Sequence, residues 1–438
     1  MDIPDFDFLK AFVPDYLHAV CHGVLKYFML LFSSKATGNS DRPWCIAKKM
    51  KRVNNRFAKT MPPSDVTRTP QTFDSIPDMK ASDFKSFGLY YYPILEGILP
   101  EPYFSHFACL SLAIYALVQD EVSRETVIAV GHLLNYLVLQ VEVIYGREHV
   151  TYNMHLLTHL SQCVLDWGCL WSSSNFIPEG FIGELQKMAK GTQSVVDQMA
   201  KHFLIRNCLR QEVITLLKDP TTKVPESTVD LLKKLLLLPS SLFNYQSSVG
   251  HCFMSESKVG LMGISERKQM TQEQQMALIN LILRSEELTR RFPDIAENCT
   301  LPSTYALFFP RMKCQSGSVF TTTSYERATK RIDYCWLLED QEYFLIESIV
   351  KVESLKNFCF VSGFKMGLET KHNFAPTSLD GLVPVPLVPG QTVELTGTEQ
   401  QLTAYQVQDV KRKCVVAIQN KLIDKYVVTA VANTVETD

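Results

Sequence analysis

The sequence predicts a multidomain α+β protein in which the N-terminal two-thirds is largely α-helical and a small β-rich barrel or sandwich follows. Three observations carry this prediction. Apolar residues recur at three- and four-residue steps up to about residue 238. Short β-rich runs with Gly and Pro turns dominate after residue 305. The chain of 438 residues, 46% of them hydrophobic, is also long and apolar enough to form hydrophobic cores. We expect three segments: a helical core at 1–210, a helical connector at 211–300 and a β-rich part at 301–438.

The first helix is predicted over residues 15–32, where Leu17, Val20 and Val24 share one face. The following helices are predicted, in order, over residues 43–59, 82–99, 102–119, 123–145, 152–165 and 181–190. The uncharged segment 102–119 only touches the lower limit of about 18 residues for spanning a bilayer. It therefore predicts a buried core helix, and no membrane is expected.

The predicted strands lie, in order, at residues 334–338, 343–350, 358–363, 403–407, 414–418 and 426–431. The 12 cysteines include no CxxC pair, which argues against a zinc ribbon or a disulfide scaffold and favours an intracellular protein with reduced thiols. The N-terminus also lacks a secretory signal pattern. A net charge of -2 excludes a uniformly basic nucleic-acid coat, so any phosphate contact needs a local patch.

Side chains that could act in catalysis or bind a metal are concentrated at three places in the helical part. Asp15 and His18 in DYLH are three residues apart and share a helical face. His155 and His159 in HLLTH are four apart, a spacing at which one helix offers two imidazoles to one metal ion. Glu179 in IPEG stands where a loop meets a helix, so its carboxylate has an anchored position.

Each of these signals also has a purely structural interpretation. Histidines four apart are commonly helix-face residues bonded to a carbonyl or a carboxylate. Asp15, after Pro14, and Glu179, after Pro178, both fit positions at helix starts, where carboxylates favour the end of the helix dipole. On the residues alone, both interpretations stay open.

The predicted helix at 43–59 is strongly basic and has no acidic residue. Its candidate DNA-binding side chains are Lys48, Lys49, Lys51, Arg52, Arg56 and Lys59. They would contact the DNA backbone without sequence preference, or they would form a solvated surface face, as basic runs on amphipathic helices often do.

Four longer motifs follow one another along the chain. They read FVPDYLHAVCHGVLKYFMLLF, PPSDVTRTP, MKASDFKSFGLYYYPILEGILPEPYFSHF and YNMHLLTHLSQCVLDWGCLWSSSNFIPEGFIGELQK. In this combination the chain resembles the transposases of animal EnSpm/CACTA DNA transposons over about its first 200 residues. A looser match covers TSYERATKRIDYCWLLED and a KRKC run near the end.

The resemblance implies a DDE-type transposase with an RNase H-like core, of which the helical part would be a remnant and an insertion. It implies Mg²⁺ or Mn²⁺, because two ions clamp the attacking and leaving oxygens of a phosphodiester. Glu179 matches the third catalytic carboxylate. Asp15, His18, His155 and His159 match a DxxH motif and a paired-His motif, which resemble zinc-binding elements of the V(D)J recombinase insertion, so Zn²⁺ is a second implied metal.

The sequence also departs from the family pattern. Only fourteen residues precede DYLH, so we expect no strands carrying the first two catalytic Asp residues. We therefore expect a nuclear, transposon-derived chain that binds DNA, with a second copy of itself as a further partner, and that is not catalytically competent alone. The alternatives are a non-catalytic, domesticated nuclear protein that binds DNA or protein, and a fragment without a selected function.

Overall fold

The computed structural model describes most of the chain. The described residues are 11–33, 41–66, 68–69, 71–218, 251–254, 259–314, 318–325, 331–338, 342–367, 401–407, 410–420 and 425–432, short pieces between 372 and 398, and single residues at 228, 232 and 236. Helices lie in the N-terminal part and antiparallel sheets in the C-terminal part, which confirms the predicted mixture and its order.

The described N-terminal part contains eight helices, of which the first seven overlap the predicted ranges; the second is shorter than predicted, the seventh begins earlier, and the eighth has no predicted range. They are α1 (Tyr16–Phe32), α2 (Met50–Phe57), α3 (Ala81–Ser86), α4 (Tyr103–Leu117), α5 (Arg124–Ile144), α6 (Tyr152–Trp167), α7 (Phe176–Met188) and α8 (Val195–Lys218). Single turns of 3₁₀-helix occur at Ala47–Lys49, Phe73–Asp78, Tyr92–Leu95, Arg147–His149 and Leu170–Ser173. The first ten residues of α1, Tyr16–Leu25, wind as a π-helix.

The predicted helix over residues 82–99 is broken into short pieces. After α3, the chain forms a π-turn at Phe87–Tyr91 and the 3₁₀ turn at Tyr92–Leu95. Pro93 contributes to the break, because it has no backbone N–H to donate to a preceding carbonyl and its ring crowds the preceding turn.

Two apolar helices bear on the expectation of no membrane. α4 is buried along nearly its whole length, which confirms that the uncharged segment is a core helix. α5 is long and apolar enough to cross a membrane by length and composition alone, but core helices pass the same test. A single helix of this kind is weak evidence for a membrane span, so no membrane is implied.

The C-terminal part contains short antiparallel strands. Their ranges are β1 (His251–Met254), β2 (Val259–Met262), β3 (Glu266–Gln269), β4 (Tyr305–Phe309), β5 (Arg311–Lys313), β6 (Val319–Thr321), β7 (Cys335–Leu338), β8 (Tyr343–Val352), β9 (Phe358–Lys365), β10 (His372–Asn373), β11 (Ser378–Leu379), β12 (Val383–Pro384), β13 (Val393–Thr396), β14 (Thr403–Gln406), β15 (Val410–Asn420) and β16 (Lys425–Ala430). Three more helices, α9 (Gln272–Arg284), α10 (Glu286–Arg291) and α11 (Pro293–Asn298), lie between β3 and β4.

The strand order shows open sheets. The largest runs β10-β13-β16-β15-β7-β8-β4-β3, with β9 pairing β8 and β14, and a smaller one runs β1-β2-β5-β6. Among the described residues the strands form no closed barrel. Strands β1 to β3 lie inside the range for which the sequence predicts a helical connector, and with four residues each they are too short to show a clear period.

The helical and β-rich parts share a hydrophobic core. Val415, Val427, Val431 and Ala432 from the end of the chain are buried in the same cluster as α1, α4 and α5. Hydrogen bonds reinforce this contact: the Tyr115 hydroxyl donates to the Ala430 carbonyl oxygen at 2.9 Å.

A buried ion cluster forms a second junction, between the PPSD loop (residues 62–65) and the sheet. The Lys413 side chain is 0% exposed, and its Nζ lies 2.8 Å from Asp333 Oδ1, 3.1 Å from Asp65 Oδ1 and 2.7 Å from Ser64 Oγ. Arg331 Nη1 donates to the Pro63 carbonyl at 2.8 Å. These contacts join residues 63–65 to Arg331, Asp333 and Lys413 of the β-rich part.

Candidate functional site

Asp15 occupies the N-cap of α1. Its carboxylate accepts the backbone N–H groups of Leu17, at 3.3 Å, and of His18, at 3.0 Å. The same carboxylate contacts His18 Nδ1. The capping interpretation and the shared face of Asp15 and His18 are therefore both confirmed, because one carboxylate can satisfy helix-start donors and orient an imidazole together.

Glu179 lies against the other side of this imidazole. It stands in the first turn of α7, and its Oε1 is 3.0 Å from His18 Nε2. Asp15 Oδ1 also accepts the Asn175 backbone N–H at 2.9 Å, which holds the start of α7 against α1. DYLH and IPEG, far apart in sequence, thus meet at His18.

The geometry makes His18 a bridge between two carboxylates. Both ring nitrogens face a carboxylate oxygen, so a doubly protonated imidazole donates to Asp15 and to Glu179 at once. The Glu179 side chain is 50% exposed and that of His18 is 55% exposed, so the bridge is open to a macromolecular ligand. Asp15 and Glu179 therefore share one imidazole as their common contact.

Two neighbours of this bridge are not among the residues that the sequence predicts. His22, four residues after His18 in the π-wound part of α1, packs its ring edge-on to Phe84 at 5.7 Å. Burial, then the charges of Lys26 and His18, lowers the pKa of His22, while Glu179 opposes the change. This shift favours the uncharged imidazole. The sequence signal that could have pointed to His22 is its position four residues after His18.

Lys85 is the second such neighbour. It is a buried lysine whose Nζ lies over the Phe176 ring, 4.7 Å from the centroid. Phe176 also packs on Tyr16 at 6.0 Å. The aromatic contacts fix the first turn of α7, and therefore Glu179, relative to the start of α1.

His155 and His159 form a second, separate pair on α6. Their Nε2 atoms are 3.1 Å apart, and both side chains are exposed. Two nitrogens bound tetrahedrally to zinc at about 2.0–2.1 Å are separated by roughly 3.3 Å, so this pair fits two positions of one ion. In the part of the chain that the structure describes, no group of three or more His, Cys, Asp or Glu is arranged for a metal, and no contact joins this pair to Asp15 or His18. The four-residue zinc site stays a prediction.

The basic segment divides into two kinds of side chain. Lys49 Nζ donates to the Ile98 carbonyl at 2.9 Å, and Arg56 Nη1 donates to the Ile94 and Glu96 carbonyls at 2.6 Å each. Burial, with a smaller contribution from Arg52, lowers the pKa of Arg56. These two side chains hold the chain at residues 94–98.

The other basic side chains point to solvent from one short segment. They are Lys48, Lys51, Arg52 and Lys59, and we call them the basic face. Asn54 of α2 donates to the Asp74 carboxylate at 2.9 Å. The basic face thus carries four positive charges on one exposed surface.

No family model, no curated protein and no solved structure matches this chain. The likeness to EnSpm/CACTA transposases therefore depends on the motifs themselves. Their meeting at His18 is a physical property of the chain that holds whatever the ancestry.

Proposed function

We propose that the chain is derived from a DDE transposase, that it binds DNA through the phosphate backbone in the nucleus, and that it does not cleave or join DNA strands on its own. One observation carries the proposal: His18 of DYLH contacts Glu179 of IPEG at 3.0 Å. The resemblance assigns the third catalytic carboxylate to Glu179 and places DYLH after the second, so a common ancestral site requires the two motifs to be neighbours.

The same contact supports the lack of unaided catalysis. Mg²⁺ or Mn²⁺ would supply charge neutralisation of the phosphate oxygens, and hard oxygen donors would have to hold these ions. Asp15 and Glu179 are the carboxylates of these two motifs, and both contact His18. An imidazole between the two carboxylates adds no oxygen donor to this position, which supports the proposal that the chain needs further carboxylates for two-metal chemistry.

The basic face supports the DNA-binding part of the proposal and also the alternative, a non-catalytic, domesticated nuclear protein that binds DNA or protein. Four exposed cations within one short segment can each neutralise one phosphate. Backbone contacts of this kind give affinity without base readout.

A cleavage assay tests the catalytic part. Purified chain is incubated with supercoiled plasmid and with Mg²⁺ or Mn²⁺, and we expect no nicking above a buffer control. Glu179→Gln and wild type should be indistinguishable. Metal-dependent nicking that Glu179→Gln abolishes would show an active site and would refute this part of the proposal.

A binding assay on short duplexes tests the DNA part. The affinity for DNA should fall steeply as the salt concentration rises. A variant with Gln at all four positions of the basic face should have a smaller slope of log K against log salt, by about one unit for each phosphate that is no longer neutralised. The four positions are Lys48, Lys51, Arg52 and Lys59. The matched control places Gln at four other exposed cations, Lys187, Lys190, Lys268 and Arg290. Equal slopes in both variants would show that the basic face only solubilises the chain.

A further inference from the structure

An exposed apolar surface runs along α8. Four large side chains, Leu204, Ile205, Leu209 and Leu216, are each 47–61% exposed, and we call them the α8 face. α7 packs on the other side of the helix, where Phe181 meets Phe203 at 5.9 Å and Arg206 lies 3.7 Å from Glu184. The α8 face therefore points away from the neighbour that holds the helix.

The size of this face matches half of a protein interface. Four side chains that are half exposed leave on the order of 400 Å² of apolar surface, which is in the range where a patch marks an interaction site. A standard interface buries about 800 Å² per partner, of which about 57% is apolar, so the α8 face supplies about the apolar share of one partner.

Lys201, one turn before Leu204, and Glu212, one turn after Leu209, have complementary charges. Lys201 and Glu212 are both exposed on the same side of α8, and no ion pair of theirs occurs in the part of the chain that the structure describes. Lys201 with Glu212 and Leu204 with Leu209 have the same midpoint, between residues 206 and 207. A helix with this arrangement is complementary to itself when turned end to end.

We propose that the α8 face binds the α8 face of a second copy of this chain, with the two helices antiparallel. Leu204 then lies opposite Leu209 of the partner subunit, and Lys201 lies opposite Glu212 of the partner subunit. A two-fold axis repeats each contact twice. Parallel pairing would instead place Lys201 beside Lys201 and Glu212 beside Glu212, which costs free energy.

Sedimentation velocity of the full chain over a range of concentrations tests the pairing. Wild type should be a dimer at micromolar concentration, and Ile205→Asp should raise the dissociation constant at least about tenfold because it buries a charge in the apolar centre. Ile264→Asp is the matched control, since Ile264 is 93% exposed on a loop between β2 and β3. It should leave the dimer unchanged.

Charge reversal tests the antiparallel register. Glu212→Lys should weaken the dimer about fivefold, because each of the two ion pairs becomes a repulsion. Adding Lys201→Glu to this variant should restore the wild-type affinity. Such a rescue is not expected if another part of the same chain, or an unrelated protein, covers the α8 face. If the double variant stays as weak as the single one, the register is refuted.

Cross-linking gives a measurement that does not depend on disrupting the dimer. Cys208 is exposed on α8, one turn from Leu204, and packed helix axes are about 8–10 Å apart. A bismaleimide of about that length should yield a covalent dimer in wild type and in Cys299→Ser, but not in Cys208→Ser. A wild-type chain that sediments as a monomer and gives no cross-link would overturn the proposal.

Discussion

Replacing Lys413 by Met is the sharpest test of how the two parts of the chain are joined. Met fills a similar volume, but it leaves Asp333 and Asp65 without the ammonium group that lies 2.8 Å and 3.1 Å away. Asp333 is buried, so its charge loses its partner in a poorly solvated site. Removing one member of a buried ion pair costs about 3–5 kcal/mol, and we expect the free energy of unfolding to fall by that amount.

Urea denaturation followed by fluorescence measures this change. Lys187→Met is the matched control, because Lys187 pairs with Glu184 at 2.6 Å but is 74% exposed, and its loss should cost less than about 1 kcal/mol. A second variant, Lys413→Met with Asp333→Asn, removes the uncompensated charge and should regain part of the lost stability. If Lys413→Met and Lys187→Met cost the same, burial does not determine the strength of this cluster.

Two further predictions concern stability. Burial lowers the pKa of His106 from 6.5 to about 4. As the pH falls through this range, His106 becomes protonated in the unfolded chain but stays neutral in the folded chain. The free energy of unfolding should fall by about 3 kcal/mol between pH 6.5 and pH 4. In His106→Gln the urea midpoint should not fall in this way with pH. If the midpoints of wild type and variant fall in parallel, His106 is not the cause. Arg56→Ala should lower the free energy of unfolding by about 2 kcal/mol, because two carbonyls lose a charged donor. Arg52→Ala, the control, should change it by less than about 0.5 kcal/mol. Equal urea midpoints for the two variants would show that the Arg56 contacts do not stabilise the chain.

Local signals allow the helices and their starts to be predicted. Ser123 accepts the Thr126 N–H at the start of α5, as its position before a run of apolar residues indicates. The buried stripe of Val20 and Val24 in α1 also follows from a three- to four-residue period. Such features depend on a few neighbouring residues, so a single sequence contains them.

Long-range contacts cannot be predicted in the same way. Nothing local connects Lys413 to Ser64 or Asp65, because their contact depends on how the sheet packs against the loop. The neighbourhood of His18 and Glu179 follows from the resemblance alone, and the division of the basic segment requires knowing that Arg56 reaches residues 94 and 96. Helical periodicity places a side chain on a face, but it does not say what lies opposite.

The shared core has a consequence for synthesis on the ribosome. The cluster that contains Leu170 is completed by Val415, Val427, Val431 and Ala432, so roughly 260 residues must emerge after Leu170 before its last contacts form. At about 5–20 residues per second, the nascent helices wait roughly 15 to 50 s with part of their apolar surface in water. Chaperones that bind emerging apolar segments therefore have time to act on this chain, and slow translation of its second half lengthens that interval.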